Sequence, residues 1–436
     1  MKKGRVIVTY GRSIIALMIA QSLGSRGIDI IGCDSVDLTV LGFSKFVSKN
    51  CIYEDPSDDE DLFVKSLLKI VIDNKPDDGS PYVLMPAFKD AKIIAKHREK
   101  FEEHVIVGCP DFEAIDKVDH KDAFALTTQK LGVRSPRTWL PENDEELDKV
   151  FGEVDFPAFV KPPDEVGGRG ISKVETEKQL KTAFSELQAQ HPEEQILIQE
   201  GIKGVDYCFC GLFDHGELVA SMVYHNLQKF PNKTGAGVVR ETVESERFDD
   251  PAKKLMGPLK WHGVAGIDFM WDEKESSQPY MIEVNPRFWA GLDHSVKSNV
   301  DFPWLFYQML TDQELDTDFD VNIGKKTSLP GLSTMARVEK LFEEAINFEE
   351  LEAQWPEIRE RLSDAEISKA TEIFTEAISN SISLDKALET FQKMRKQSQE
   401  AQKMSYAKDD PFIGLGALFI LGSLLRKGRL PPELSH

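Results

Sequence analysis

Val264-Ala265-Gly266-Ile267-Asp268-Phe269-Met270-Trp271 and Tyr280-Met281-Ile282-Glu283-Val284-Asn285-Pro286-Arg287 decide how this chain is read. Both runs are apolar, β-branched and aromatic, and the polar stretch Asp272 to Gln278 separates them. The pattern predicts two antiparallel strands joined by a hairpin-like link. Side chains two apart on a strand share a face, so Glu283 and Asn285 point the same way, and Asp268 can lie across from them. Two carboxylates and an amide form an oxygen set suited to Mg²⁺ or Mn²⁺ beside phosphate oxygens and water. Arg287 follows directly and can neutralise charge on a transferred phosphoryl group. Solvated acids are common on sheet faces. Here Val264, Ile267, Met281, Ile282 and Val284 predict a buried setting, in which a charge needs a partner.

Working outward, Lys161 ends the strand pattern Phe156 to Pro162, and Lys121 opens a helix that runs to Leu131-Gly132. An inward lysine at a strand end is costly unless it meets an anion. For Lys121 alone, a solvated helix face is the simpler reading. Gly167-Gly168-Arg169-Gly170 follows Lys161, and glycine lets consecutive N–H groups approach a triphosphate. Gln199-Glu200-Gly201-Ile202 leaves a strand into a short connection. It can offer backbone groups to a purine edge and Glu200 to a ribose or amine, or be an ordinary hinge.

In this order, the HK pair before an LGV turn, FVKP, GGRGI, IQEGIKG, GIDFMW and IEVNPRF resemble the ATP-grasp superfamily, from about Asp116 to Leu310. The resemblance is especially to its carboxylate–amine ligases and the related carbamoyl-phosphate synthase type. The resemblance implies an α/β chain of ATP-grasp α+β type. A Rossmann-like pre-ATP-grasp domain would occupy residues 1–112, an ATP-grasp domain of two α+β subdomains 113–320, and a helical extension 321–436. By position it implies that Lys121 and Lys161 hold the α- and β-phosphates, and that Gly167, Gly168 and Gly170 cap the triphosphate. Glu200 and Ile202 would contact adenine and Asp206 the ribose. Asp268, Glu283 and Asn285 would bind Mg²⁺ (or Mn²⁺), and Arg287 would steady an acyl phosphate. The implied activity joins a small-molecule carboxylate to an amine with ATP. A bicarbonate-using enzyme and a non-catalytic ATP-binding scaffold are the alternatives. One stretch departs: His225 and Asn226 stand where related ligases carry Arg or Lys, with Lys229 or Arg240 to compensate. Phe230 to Val238, with Pro231, Gly235 and Gly237, is the expected lid or substrate loop.

The front of the chain predicts a β-α-β start: strand Arg5 to Tyr10, helix Ile14 to Leu23, strand Ile28 to Cys33. Only Gly11 remains of a G-x-G-x-x-G loop, so a structural Rossmann-like unit is expected rather than a dinucleotide site. Later elements follow the same logic. Asp61 to Asn74, Asp90 to Glu103 and Glu177 to Gln190 read as helices, and Tyr207 to Phe213 with Leu218 to His225 as a hairpin around His215-Gly216. Beyond Asp320, Val338 to Gln354, Ser363 to Ser379 and Leu384 to Met404 carry helical spacing.

The 436 residues suggest more than one packed unit. A formal net charge of −21 excludes a general nucleic-acid binder. Five scattered cysteines predict small core residues in a reducing compartment, and Cys208-Phe209-Cys210 is not a zinc knuckle. No signal-peptide pattern is visible, so the cytoplasm is the expected location. The apolar run Pro411 to Leu425 falls short of the roughly 20 residues a membrane-spanning helix needs. It reads as a helix packed on the main body. Its sharper alternatives are membrane-surface contact through 411–429, helped by Arg426, Lys427 and Arg429, or a homodimer contact.

Overall fold

The computed structural model describes residues 4–162, 171–192, 194–231, 235–272, 278–345, 349–363, 366–381, 384–403, 410–418 and 423. The chain forms two compact units, one of residues 1–225, 242–324 and 405–436, the other of residues 226–241 and 325–404.

The first unit contains two whole sheets and the first strands of a third. At its front, five parallel strands run in the order Val47–Ile52, Asp29–Asp34, Arg5–Val8, Tyr82–Met85, Ile106–Val107. The helix Ile14–Ser25 starts at Ser13, whose hydroxyl accepts from the Ala16 N–H at 3.1 Å. It is apolar nearly all round because it is buried nearly all round, from Ile15 to Ala20. Past the first strand, the Arg12 N–H donates to Asp34 at 2.8 Å, and the two side chains form a buried ion pair. A dinucleotide fold needs an acid near this strand end for ribose. Here Asp34 is engaged by Arg12, as a structural unit requires. The strand Val47–Ile52 carries no clear sequence pattern, since three of its six residues are exposed. The single helix expected over Asp90 to Glu103 is two, Asp90–Lys96 and Arg98–Glu102. His97, at φ −109° and ψ 22°, breaks the turn between them.

The second sheet is antiparallel, in the order Thr138–Trp139, Leu197–Glu200, Ala158–Lys161, Ser172–Val174. Helices Asp144–Phe151 and Glu177–Gln190 close its core, with Leu147, Val150, Leu180, Phe184 and Leu187 packed on Ala158, Val160, Ile196 and Ile198. The third sheet begins Tyr280–Asn285, Gly263–Trp271, Val205–Asp214, Glu217–Phe230, each antiparallel to the next. Its inward faces, Phe209, Phe213, Ile267 and Phe269 among them, are fully buried.

In the second unit, Val239 to Glu241 pair antiparallel with Lys326–Ser328, which pairs parallel with Gln402–Lys403. Four helices stand where the spacing predicted three: Pro330–Ala345, Glu349–Ser363, Ile367–Ser381 and Leu384–Glu400, the expected run Val338 to Gln354 falling across the first two. Val238, Ala336 and Met394 make a small core there. The expected lid loop is short. Strand extends to Phe230 and resumes at Ala236, and residues 232–234 lie outside the described residues. No described helix is long and apolar enough to cross a membrane.

Candidate functional site

Strand register builds the site. Asp268 is the direct cross-strand partner of Glu283 on one side and of Cys208 on the other. Ile267 and Val284, one residue along, pair with each other and point into the core, at 0% and 4% exposure. Alternation therefore turns both acids to the opposite face. Asn285 sits on the same face as Glu283, and its Nδ2 donates to Glu283 Oε1 at 3.4 Å. The chain then turns back, with the Arg287 N–H donating to the Asn285 carbonyl at 2.8 Å. This turn brings the guanidinium round, so Arg287 Nη2 donates to Asn285 Oδ1 at 2.8 Å. The same guanidinium lies 4.7 Å over the ring of Phe88, which stacks on Tyr10 at 4.5 Å and 15°. Glu283, Asn285 and Arg287, on one strand and the turn after it, are thus linked through Phe88 to the loop ends of the front sheet.

The electrostatics follow. Burial, then Cys208 and Glu283, push the Asp268 carboxyl well above the usual range. Burial pulls Arg287 down, while Glu283 and Asp268 oppose the shift. Lys161 ends its strand as expected, and its Nζ donates to Gln199 Oε1 at 2.6 Å. Burial lowers Lys161 to about 8, Glu283 acting against the shift and Lys121 adding to it. The two lysines and Glu283 therefore share one field.

Lys121 is the first residue of the helix Lys121–Leu131, because His120 at φ −86° and ψ 138° is extended and separates it from Phe112–Asp119. A cavity of about 330 Å³ brings Lys121 together with Glu283, Asn285 and Arg287. Glu200, Ile202 and Asp206 do not line it. Glu200 and Ile202 are half-buried at the end of the second sheet, where Glu200 Oε2 accepts from the Arg137 N–H at 3.1 Å. Asp206 pairs with Met270 across the third sheet. Gly167, Gly168 and Gly170 lie outside the described residues.

Sequence reasoning missed Phe88, Lys92 and Cys208 as members of this neighbourhood. Lys92 Nζ is 2.6 Å from His120 Nε2, 3.0 Å from Asp119 and 3.6 Å from Asp116, and both Lys92 and His120 line the cavity. A lysine within a short helix carries no signal of its own. Cys208 could have been found from strand alternation, since it stands one residue from Phe209, whose ring faces the core.

Residues 121–291 match the family model of the ATP-grasp domain. The C-terminal section of the carbamoyl phosphate synthase large chain of Methanopyrus kandleri is 27% identical over 194 residues, covering 43% of this chain and 36% of that protein. The large chain of the same enzyme from Thermotoga neapolitana is 26% identical over 235 residues, covering 52% of this chain and 21% of that one. This chain thus matches well under two thirds of the length of either relative. Among solved structures, the biotin carboxylase domain of Hydrogenobacter thermophilus 2-oxoglutarate carboxylase, in complex with MgADP, ADP and bicarbonate, superposes with a TM-score of 0.58 at 16% identity, covering 75% of this chain and 74% of that one. An L-amino acid ligase of Bacillus licheniformis gives 0.56 at 17% identity, with 73% and 78% covered. These likenesses share the fold, and the match over residues 121–291 coincides with the residues that build the site. Residues 121–291 are an ATP-grasp domain.

Proposed function

We propose that this protein is an ATP-dependent ligase that joins a carboxylate to an amine, with a carboxyl group activated as an acyl phosphate. The observation that carries this reading is the register that sets Asp268 against Glu283, with Asn285 and Arg287 beside them, in the field of Lys121 and Lys161. The residues suit the groups they would hold. Burial, then Cys208 and Glu283, disfavour the charged form of Asp268, and a divalent cation held there would offset that cost. Lys161, held down by burial and by Lys121, would be relieved by an anion beside it.

MgATP, when bound, supplies the phosphoryl group that converts the acid to an acyl phosphate, from which an amine releases phosphate as the amide forms. Asp268, Glu283 and Asn285 would hold Mg²⁺ (or Mn²⁺), and Lys121 and Lys161 the phosphates. Gly167, Gly168 and Gly170 would wrap the triphosphate, Glu200 and Ile202 would meet adenine, and Asp206 the ribose. Arg287, fixed between Asn285 and the Phe88 ring, stabilises negative charge where phosphoryl and carboxylate oxygens meet. No side-chain nucleophile is needed, and positioning plus charge stabilisation carry the reaction.

The test is hydroxylamine trapping with MgATP and pooled carboxylates. The expected result is hydroxamate with a particular acid, matched by ADP, and lost in Glu283→Gln. ADP release that depends on bicarbonate without hydroxamate from any organic acid would move the reading to a bicarbonate-using enzyme. Tight ATP binding without ADP formation across the pools would favour a non-catalytic scaffold.

A further inference from the structure

A second constellation lies away from these acids. Asp214 ends the strand Val205–Asp214, His215 and Gly216 make the hairpin turn, and His262 immediately precedes Gly263–Trp271. We infer that Asp214, His215 and His262 form a binding site for one divalent ion of the zinc, nickel or copper class.

The distances support it. His262 Nδ1 lies 3.1 Å from Asp214 Oδ1, and His215 Nε2 lies 3.9 Å from the same oxygen. One ligand atom from each residue falls within 4.8 Å of the others, and among the described residues this is the one such group of three His, Cys, Asp or Glu side chains. A tetrahedral ion with nitrogen and oxygen ligands at about 2.0–2.1 Å sets them about 3.3 Å apart. The observed separations bracket that value. The ion would replace the direct contact between Asp214 Oδ1 and His262 Nδ1.

The backbone holds the two segments in place. His215 adopts φ 45° and Gly216 φ 98°. The Gly216 N–H donates to the Trp261 carbonyl at 2.7 Å, which ties the turn to the residue next to His262. A side chain at Gly216 would meet the Gly257 carbonyl oxygen at 2.8 Å, so only glycine allows that approach. The hairpin turn is therefore anchored against His262 whether or not an ion is bound.

The donor chemistry selects the ion. Two imidazoles and one carboxylate suit borderline transition ions, whereas Mg²⁺ and Ca²⁺ prefer oxygen alone. The imidazoles stack at 4.3 Å and 15°, an arrangement that two imidazolium cations would oppose. The stacked rings direct their lone pairs in nearly parallel planes. Closing on one ion turns His215, whose side chain is 76% exposed, while Asp214 and His262 keep their places. The three residues line a cavity of about 940 Å³ shared with His104, Glu102 and Asp312, which leaves room for water or an exchangeable ligand at the remaining position.

The experiment strips the full-length protein with chelator, adds excess Mg²⁺ to occupy oxygen-rich sites, and titrates Co²⁺ while recording the visible spectrum. The expected result is one tightly bound Co²⁺ per chain, displaced by Zn²⁺, with d–d bands and no thiolate charge-transfer band. His215→Asn, which keeps a residue tolerant of positive φ, and His262→Gln should each weaken binding by about tenfold or more. Circular dichroism checks that both variants are folded, and the exposure of His215 makes its variant the safer of the two. Absence of Co²⁺ binding would overturn the site. So would binding that neither variant changes, or a thiolate band placing the ion on cysteine.

Discussion

Asp268 has a cost that the proposed ion offsets. Its carboxyl stands against Glu283 and Cys208 on neighbouring strands, and burial, then Cys208 and Glu283, raise its pKa. Asp268→Asn should therefore leave the ion-free protein at least as stable as the parent in thermal unfolding. It should lower ligase turnover by about a hundredfold or more. Asp90 makes a separate case. It is 5% exposed, Oδ1 accepts from the Phe88 N–H at 3.2 Å, and Oδ2 has no hydrogen-bond partner among the described residues. Burial raises its pKa from 3.8 to about 6. Because the folded value is the higher one, its stabilising contribution is complete below the unfolded pKa and lost as pH rises through about 6. The difference amounts to about 3 kcal/mol. Denaturant unfolding from pH 3 to 8 should show that much less pH dependence in Asp90→Asn than in the parent. Equal slopes in the two proteins would refute the assignment.

At the scale of elements, the small antiparallel sheet carries Lys161 and packs against two helices, of which Glu177–Gln190 is the longer. Leu180, Phe184 and Leu187 of Glu177–Gln190 lie four and three residues apart and are 0%, 6% and 5% exposed. Phe184→Ala should cost about 3–5 kcal/mol. The loss should appear as earlier unfolding of this sheet in hydrogen exchange, together with weaker ATP binding. Parallel register makes another pair that spacing could not reveal: Cys33 lies directly across from Cys51. The hydrogen bond from Cys33, with help from Lys49, lowers the half-buried Cys51 thiol to about 7, against burial. The other four thiols are buried. Iodoacetamide should therefore label Cys51 first, with a rate that rises through about pH 7. Preferential labelling of any other cysteine in the native protein would count against this register. The hairpin around His215-Gly216 and the strand pair carrying Asp268 and Glu283 were legible because alternation and turn residues are local signals. The strand Val47–Ile52 was not, because its exposed residues carry no apolar pattern and only its neighbour defines it.

For the whole molecule, the chain after residue 404 returns to the first unit. Asp410 is fully buried there, accepting from Ser44 Oγ at 2.5 Å and from the Lys45 N–H at 3.0 Å. The 3₁₀ helix Pro411–Leu418 then sets Ile413 into the core and Gly416 against Val40. Phe412, Leu415 and Leu418, three apart and therefore aligned along one 3₁₀ face, are 66%, 47% and 42% exposed. The expectation of a helix packed on the main body is met by its first turns, and residues 419–422 and 424–425 lie outside the described ones. Asp410→Ala should lower stability by about 2 kcal/mol, read as a reduced denaturant midpoint. An unchanged midpoint would mean that this tether contributes nothing.

The sequence by itself carried the ATP-grasp resemblance, the order of most elements and the acids, amide and arginine of the proposed site. Those signals are periodicity, glycine placement and motif spacing, and each is carried within a few neighbouring residues. Only the tertiary structure decided that Asp268 faces both Glu283 and Cys208, that Phe88 seats Arg287, and that Lys92 meets His120. It also brought His262 beside Asp214 and His215. Contacts between residues distant in sequence depend on register and strand order, which packing selects and local composition does not encode.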